Sequence, residues 1–153
     1  MSNQVLQATR ALAVIPSDDV NIPYPNEVLS GVTTTSGVNT LRDSNADFVE
    51  SGIKVGDTVL NESTGKFATV VSVGPIRLGM SNSNLDGAGV NYKIYQGENT
   101  GCTLYVGEGG DLHFVTAGND QPILIAVRGG TFIPIKSLRV LTTTTCTDII
   151  ALW

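Results

Sequence analysis

His113, in the segment DLHFV, is the only histidine in the 153-residue chain and therefore the first candidate for acid–base chemistry. A catalytic histidine needs a nucleophile to activate and an acid that orients its ring. Nothing near His113 resembles the G-x-S-x-G turn that presents a nucleophilic serine. No metal site could use more than this one imidazole. We therefore expect His113 to lie on the polar or interfacial face of a strand.

Acidic residues occur in three places that could serve a calcium ion, whose ligands are oxygen atoms. They are the neighbours Asp18 and Asp19, the pair Asp43 and Asp47, and Asp86 in SNSNLDGAG. None of them follows the spaced D-x-[DN]-x-[DN]-G pattern with its closing glutamate. We interpret NSNLDG as a turn of residues that tolerate left-handed backbone, and a structural calcium site is the alternative.

The glycine-rich segment GEGGD, from Gly107 to Asp111, lacks phosphate-loop spacing and precedes a strand instead of a helix. A glycosidase pair of carboxylates would be compatible with the sequence. Enzymes that act on sugars usually present aromatic platforms, however, and this chain offers only Trp153 and four scattered tyrosines. We predict a protein that is not an enzyme, with no catalytic residue, no cofactor and no metal site.

The charge of the chain excludes two classes of partner. Its net charge is −5, and the nine lysines and arginines are scattered singly, whereas nucleic-acid binding needs a basic patch. No stretch approaches the roughly 18 apolar residues of a membrane span. The start, MSNQVLQATR, lacks the layout of a secretory signal, so we expect folding in the cytoplasm. Only 15% of residues are charged, a composition common in β-rich proteins that assemble with copies of themselves.

The two cysteines, Cys102 and Cys146, are not arranged in the close pairs of a metal site. In a reducing compartment we expect them to be small apolar residues in the core. A disulfide between them is the alternative.

Short apolar runs rich in β-branched residues, bounded by Gly, Asn, Asp or Pro, dominate the chain, and helical patterns are nearly absent. This pattern predicts an all-β protein whose two ends form a β-sandwich or jelly-roll-like domain, with Tyr105 in its core. Pro134 predicts a bend, because a proline in a strand belongs at an edge or a bulge. The predicted strands are Ala11–Ile15, Thr103–Val106, Asp111–Thr116, Ile123–Val127, Thr131–Ile135, Ser137–Thr142 and Ile149–Leu152.

The middle of the chain predicts a second, inserted domain. The segment GIKVGDTVLNESTGKFATVVSV predicts two strands joined by a hairpin loop from Asn61 to Gly65, and IRLGM and VNYKIY add two more. We predict a small closed or half-closed β-barrel, SH3-like in shape, which removes exposed edges with few residues. Residues 33–96 would form this inserted barrel, and residues 1–32 and 97–153 the discontinuous sandwich. An inserted domain needs its two ends close together.

The chain ends on DIIALW, from Asp148 to Trp153, without a polar tail. Chain ends are usually frayed and polar unless something holds them. The last strand is therefore expected to pack, either in the core of the same subunit or against a neighbour.

Three segments resemble the small spike base proteins of tailed bacteriophages and related gene-transfer particles. They are ATRALAVIPSDDVNIP at Ala8–Pro23, GCTLYVGEGGDLHFVTAGND at Gly101–Asp120, and GTFIPIKSLRVLTTTTCTDIIALW at Gly130–Trp153. In that family the first segment runs almost directly into the second. Here residues 33–96 interrupt it, with patterns similar to a phage structural module: T-L-x-D-S-x-A-D-F at Thr40–Phe48 and G-[IV]-x-V-G-D-x-V at Gly52–Val59.

The resemblance implies a non-enzymatic virion structural protein that assembles as a symmetric homo-oligomer, with three copies as the first expectation. Its partners would be other virion proteins, of the tail or the major capsid, and neither nucleic acid nor membrane. Two placements remain open, a tail spike or fibre base and a capsid decoration or cement protein. The protein would fold in the host cytoplasm and reside in the virion. A carbohydrate-binding or adhesin module for host attachment, with the insert as recognition surface, is the alternative.

Overall fold

The computed structural model describes residues 8–97, 100–118 and 121–153. Within them the chain forms twelve β-strands and one short 3-10 helix, Ser83–Leu85. The strands make two antiparallel sheets of six strands each. The predicted all-β class is confirmed.

The chain divides into two compact units. Unit 1 consists of residues 1–18 and 100–153, and unit 2 of residues 19–99. The discontinuous organisation matches the expected insertion, but the boundaries differ from residues 33 and 96. Strand β2 (Glu27–Val32) is the reason, because it pairs with β7 (Asn91–Tyr95) inside the sheet of the inserted unit.

Unit 1 contains a single six-stranded sheet in the order β1-β12-β8-β11-β9-β10. Two strands predicted separately, Thr131–Ile135 and Ser137–Thr142, are one long strand, β11. The bounds are β1 Ala11–Ala13, β8 Cys102–Glu108, β9 Gly110–Thr116, β10 Ile123–Val127, β11 Thr131–Val140 and β12 Thr147–Leu152.

Strand β11 joins the two halves of this sheet. Its first part pairs with β8 from Thr131 to Ile133, and its last part pairs with β9 from Ser137 to Val140. The register shifts between Ile133 and Ser137, around Pro134. Proline has no N–H group to donate to a ladder. Strand β11 therefore changes its partner from β8 to β9 close to the position where Pro134 predicts a bend.

The end of the chain lies inside the sheet of unit 1. Strand β12 is paired on one side with β1 and on the other with β8. Beyond it, the carbonyl oxygen of Trp153 accepts hydrogen bonds from the backbone N–H groups of Thr9 (2.6 Å) and Arg10 (3.1 Å). Ile149 and Ala151 are buried. The last strand therefore packs within its own chain, the first of the two alternatives above.

Unit 2 contains the second sheet, in the order β2-β7-β4-β5-β6-β3. Its remaining strands are β3 Thr40–Arg42, β4 Thr58–Asn61, β5 Lys66–Val73 and β6 Arg77–Met80. The hairpin between β4 and β5 turns at the predicted loop. The core of the unit consists of Leu41, Phe48, Ile53, Val59, Ala68, Val70, Leu78, Met80, Leu85, Tyr92 and Ile94.

The sheet of unit 2 does not form a fully closed barrel. In the described part of the chain its edge strands, β2 and β3, share no ladder. The two edges meet just after β2, where Thr35 forms an isolated bridge with Arg42 of β3 and Thr34 N–H donates to Arg42 O at 2.8 Å. Thr33, directly after β2, is still bonded on the β7 side, so this contact between the edges is short. Of the two predicted alternatives, closed and half-closed, the closed barrel is wrong.

Candidate assembly surface

The outer face of four neighbouring strands of unit 1 is the most distinctive surface in the described residues. Side chains alternate between the two faces of a strand. On one face of β8, β11 and β12 the side chains are buried: Leu104, Val106, Ile133, Ile149 and Ala151. The opposite face is open to solvent but carries apolar side chains instead of polar ones.

A row of apolar side chains crosses this face from β1 to β11. Ala13 is opposite Ile150, Ile150 is opposite Tyr105, and Tyr105 is opposite Phe132. Phe132 is 55% exposed and Ile150 36% exposed. The rings of Tyr105 and Phe132 are tilted at 54° with centroids 5.0 Å apart, within the range of favourable aromatic pairs. We call these four residues the apolar row.

Tyr105 does not lie in the core, where the sequence pattern placed it. It is half-buried on the outer face, whereas its neighbours Leu104 and Val106 are fully buried. The alternation of β8 was predicted correctly but with the opposite face inward. Since the aromatic ring of Tyr105 is as apolar as the buried side chains beside it, composition alone could not indicate which face of β8 is covered.

The face continues toward the chain end into a groove. The next cross-strand set is Ala11, Leu152 and Thr103. Leu152 and Thr103 also line a groove of about 280 Å³, together with Trp153, Lys136 and three smaller residues. Lys136 is the only charged side chain among those lining it.

The opposite end of the face is negative. A Cβ atom on Gly107 of β8 would lie 2.7 Å from the Cβ of Asp148, so the Asp148 side chain lies on the face to which Gly107 points. Tyr105 is two positions before Gly107 in β8 and therefore points to the same face. Asp148 is exposed and has a φ of 54°, a left-handed conformation that aspartate tolerates better than most residues. The outer face thus has the Asp148 side chain at one end, apolar side chains across its middle and the Lys136 side chain at the other end.

His113 and Asp18, considered above for acid–base chemistry and for calcium binding, form hydrogen bonds with nearby threonines. The His113 ring Nδ1 lies 2.5 Å from Thr143 Oγ1, and the His113 N–H donates to Thr144 Oγ1 at 3.0 Å. Asp18 accepts hydrogen bonds from the N–H and hydroxyl of Thr142. The Thr142 bonds, with weaker help from positive charge nearby, hold the pKa of Asp18 below its usual value.

A run of four threonines, Thr142 to Thr145, supplies these contacts. Its hydroxyls bond Asp18 and the adjoining strand β9, where Thr145 Oγ1 accepts from Asp111 N–H at 2.8 Å. Asp111 is the last residue of the GEGGD segment, which forms the turn from β8 into β9. Four successive threonines were the only sequence signal for this arrangement.

The acidic residues of unit 2 likewise bond their own chain. Asp43, buried, accepts the hydroxyl of Tyr92 at 2.7 Å and the N–H of Asn45 at 2.9 Å. Burial and this neighbouring carboxylate raise the pKa of Tyr92. Asp47 accepts from Glu50 N–H. The described residues contain no group of three or more acidic, histidine or cysteine side chains placed for a metal ion.

The phage-module patterns of the sequence are accounted for by folding. Asp86 bonds the N–H of Thr40 at the first pattern's start, and Phe48 at its end packs in the core against Tyr92. In the second pattern, Gly56 has a φ of 98° and Asp57 accepts from the N–H groups of Lys54 and Gly97. These motif residues therefore hold the backbone and the core of unit 2 in place.

The aromatic residues of unit 2 are mostly internal. Phe48, Phe67 and Tyr92 are buried, and half-buried Tyr95 packs edge-on against Phe67 at 6.5 Å. A groove of about 350 Å³ on this unit is lined by none of them; Val28, Lys54, Val55, Asp57 and Gln96 contribute its side chains. An aromatic platform for a sugar is absent from that groove.

The two cysteines are free and buried. Cys102 Sγ lies 3.3 Å from the carbonyl oxygen of Ser137, and burial raises the pKa of the Cys146 thiol. A thiol with a raised pKa is a poor nucleophile at neutral pH. Both side chains occupy core positions, and the alternative disulfide is not formed.

No family model, curated protein or solved structure matches this chain. Among the described residues there is no helix of sufficient length and apolar character to span a membrane. The exposed apolar face of unit 1 is suited to bind protein, because such patches mark interaction sites on monomers.

Proposed function

We propose that this protein is a non-enzymatic structural component of a tailed-phage virion, assembling on the particle as a symmetric homo-oligomer. The observation that carries the proposal is the apolar row, with Phe132 and Ile150 exposed beside the ring pair of Tyr105 and Phe132. Exposed aromatic residues at the centre of a face are typical of protein interfaces. The three resembling segments of the sequence supply the virion context.

Two further features support an assembly role. The acid–base and calcium candidates of the sequence make internal hydrogen bonds, as His113, Asp43 and Asp18 illustrate. The chain is also poor in charge, at 15% of residues against roughly 25% in an average soluble domain. Low charge reduces the desolvation cost when a large surface is covered by another protein.

The proposal is tested by quantitative mass spectrometry of purified particles, with the major capsid protein as internal standard. A copy ratio that is a simple fraction of the capsid protein supports capsid decoration or cement. A ratio lower by orders of magnitude supports a tail spike or fibre base. Absence from the particles, with the capsid protein well detected in the same sample, contradicts the virion proposal.

A further inference from the structure

We infer that the groove beside Trp153 is covered by the segment that precedes Ala8 in the same chain, residues 1–7, through the apolar side chains of Val5 and Leu6. This segment lies outside the described residues, which begin at Ala8. The inference goes beyond the proposed function and does not depend on it. It concerns the groove at one end of the outer face and not the apolar row.

The path of the chain leads this segment to the groove. Strand β1 runs antiparallel to β12, so the residues before β1 pass the end of β12. There the backbone is fixed to Trp153: Thr9 and Arg10 donate to its carbonyl oxygen, and its N–H donates to Arg10 O at 3.0 Å. Ala8, the next residue toward the N-terminus, itself lines the groove. The residues just before Ala8 therefore start at the wall of the groove.

The distance that the segment must cover is short. Because consecutive Cα atoms are about 3.8 Å apart, the Cα of Leu6 lies within about 7.6 Å of the Ala8 Cα, and that of Val5 within about 11.4 Å. This attachment gives both side chains a high effective concentration at the groove. A tethered segment also loses no translational freedom when it docks, which favours it over a second copy or another protein as the occupant.

The chemistry of the segment matches that of the groove. Residues 1–7, MSNQVLQ, contain no charged side chain, and Val5 and Leu6 are adjacent apolar residues within them. Their burial against Leu152 and Trp153 is favourable in proportion to the apolar area removed from water. Lys136 is exposed, so an uncharged segment can lie on the stem of its side chain while the ammonium group stays in water.

Trp153 provides the readout, because it is the only tryptophan in the chain and lines the groove. In the full-length protein, Val5→Asp combined with Leu6→Asp should shift the Trp153 emission to longer wavelength and increase its quenching by acrylamide, since water then reaches the indole ring. The control is Asn3→Asp combined with Gln4→Asp, which adds the same charge to the segment and removes no apolar side chain. The emission and quenching of the control should coincide with those of the wild type.

A second test identifies the chain that supplies the segment. In isotope-labelled wild-type protein we expect NOE contacts from the methyl groups of Val5 and Leu6 to the Trp153 indole. In a mixture of labelled and unlabelled chains, filtered spectra that detect only pairs of atoms on different chains should lack these contacts. Circular dichroism of the fluorescence variants confirms that the fold is retained, because the substituted residues lie outside both sheets.

The outcomes decide between the occupants. Unchanged Trp153 emission in the variant carrying Val5→Asp and Leu6→Asp would overturn the inference. An equal response of the control would overturn it too, because the effect would then come from charge alone. NOE contacts found only between chains would overturn docking within the chain and assign the groove to the segment of a second copy. None of these readouts depends on whether the protein occurs in particles, so the inference and the proposed function fail in separate experiments.

Discussion

At the scale of single residues, the inserted unit depends on one buried polar contact. The Tyr92 hydroxyl and the Asp43 carboxylate meet at 2.7 Å in the interior, where both side chains are nearly inaccessible. Gly31 on β2 adjoins the pair so closely that an added Cβ would lie 2.6 Å from the hydroxyl. A buried polar group stabilises a fold only while its partner is present, because an unsatisfied group retains its full desolvation cost.

Replacing Tyr92 by phenylalanine should therefore lower the free energy of unfolding by about 1–3 kcal/mol, since Oδ2 of Asp43 loses the hydroxyl donor and the carboxylate stays buried. Urea unfolding followed by circular dichroism measures the change. Tyr95→Phe is the matched control, because Tyr95 is half-buried and only its ring is in contact with Phe67. Its expected cost is below about 0.5 kcal/mol. Equal effects of the two substitutions would contradict this role of the buried pair.

A second residue-scale prediction concerns Asp18, whose pKa is lowered chiefly by the hydroxyl and N–H of Thr142. A carboxyl with a lowered folded-state pKa adds stability above its unfolded value of about 3.8, and that stability is lost as pH falls through the folded pKa. Asp18→Asn should thus be less stable than wild type at pH 7, with the difference shrinking below pH 3.8.

Urea midpoints at pH 7, 5, 4 and 3 measure this dependence. Thr142→Val removes the hydroxyl that donates to Asp18. Like Asp18→Asn, it should therefore be less stable than wild type at pH 7, and its difference from wild type should also shrink toward pH 3. If the gap between Asp18→Asn and wild type were constant across this series, the hydrogen bonds would not be the source of the stability.

At the scale of elements, β12 is the strand on which the outer face and the core both depend. It pairs with β1 and β8, buries Ile149 and Ala151, and presents Ile150 to solvent. The backbone of Trp153 extends the pairing to Thr9 and Arg10. A terminal strand held on both sides is unlike the frayed ends of most domains.

Removing Leu152 and Trp153 should lower the free energy of unfolding of unit 1 by about 2 kcal/mol or more, because apolar area and three backbone hydrogen bonds with Thr9 and Arg10 are lost. Differential scanning calorimetry measures the loss. Leu124→Ala provides the control for removing apolar area that is already exposed, with an expected change below about 0.5 kcal/mol. Unchanged stability after truncation would mean that β12 is dispensable beyond Ala151.

At the scale of the whole molecule, the chain carries two separate cores in one sequence. Unit 2 has its own sheet and its own buried cluster, from Leu41 to Ile94. The chain enters and leaves the sheet of this unit at one place, because Gln96 N–H donates to Asn26 O at 3.1 Å and the two side chains bond at 3.3 Å. Close ends are the condition under which one domain is tolerated inside another.

Residues 19–97 produced alone should therefore fold, with a single cooperative urea transition and dispersed amide signals in NMR spectra. The same fragment carrying Leu78→Asp, a charge in a fully buried position, serves as the unfolded reference. A fragment whose spectrum coincides with that reference would show that unit 2 depends on the rest of the chain.

The sequence by itself determined the strand content, the insertion and the packed terminus. Alternation, β-branched runs and turn residues act locally, so they identify strands such as Ile123–Val127 without knowledge of their partners. Pro134 likewise predicted the irregularity in β11, because the missing N–H group is a property of the residue itself.

Only the tertiary structure decided which strands pair and which faces are covered. Strand β2 belongs to the insert because of its ladder with β7, and the barrel is not fully closed because Thr33 continues the bonding on that side before Thr35 reaches Arg42 of β3. Tyr105 lies on the outer face although its pattern fits a core residue equally well. Burial depends on contacts between residues far apart in sequence, and local periodicity contains no information about which of two apolar faces finds a partner.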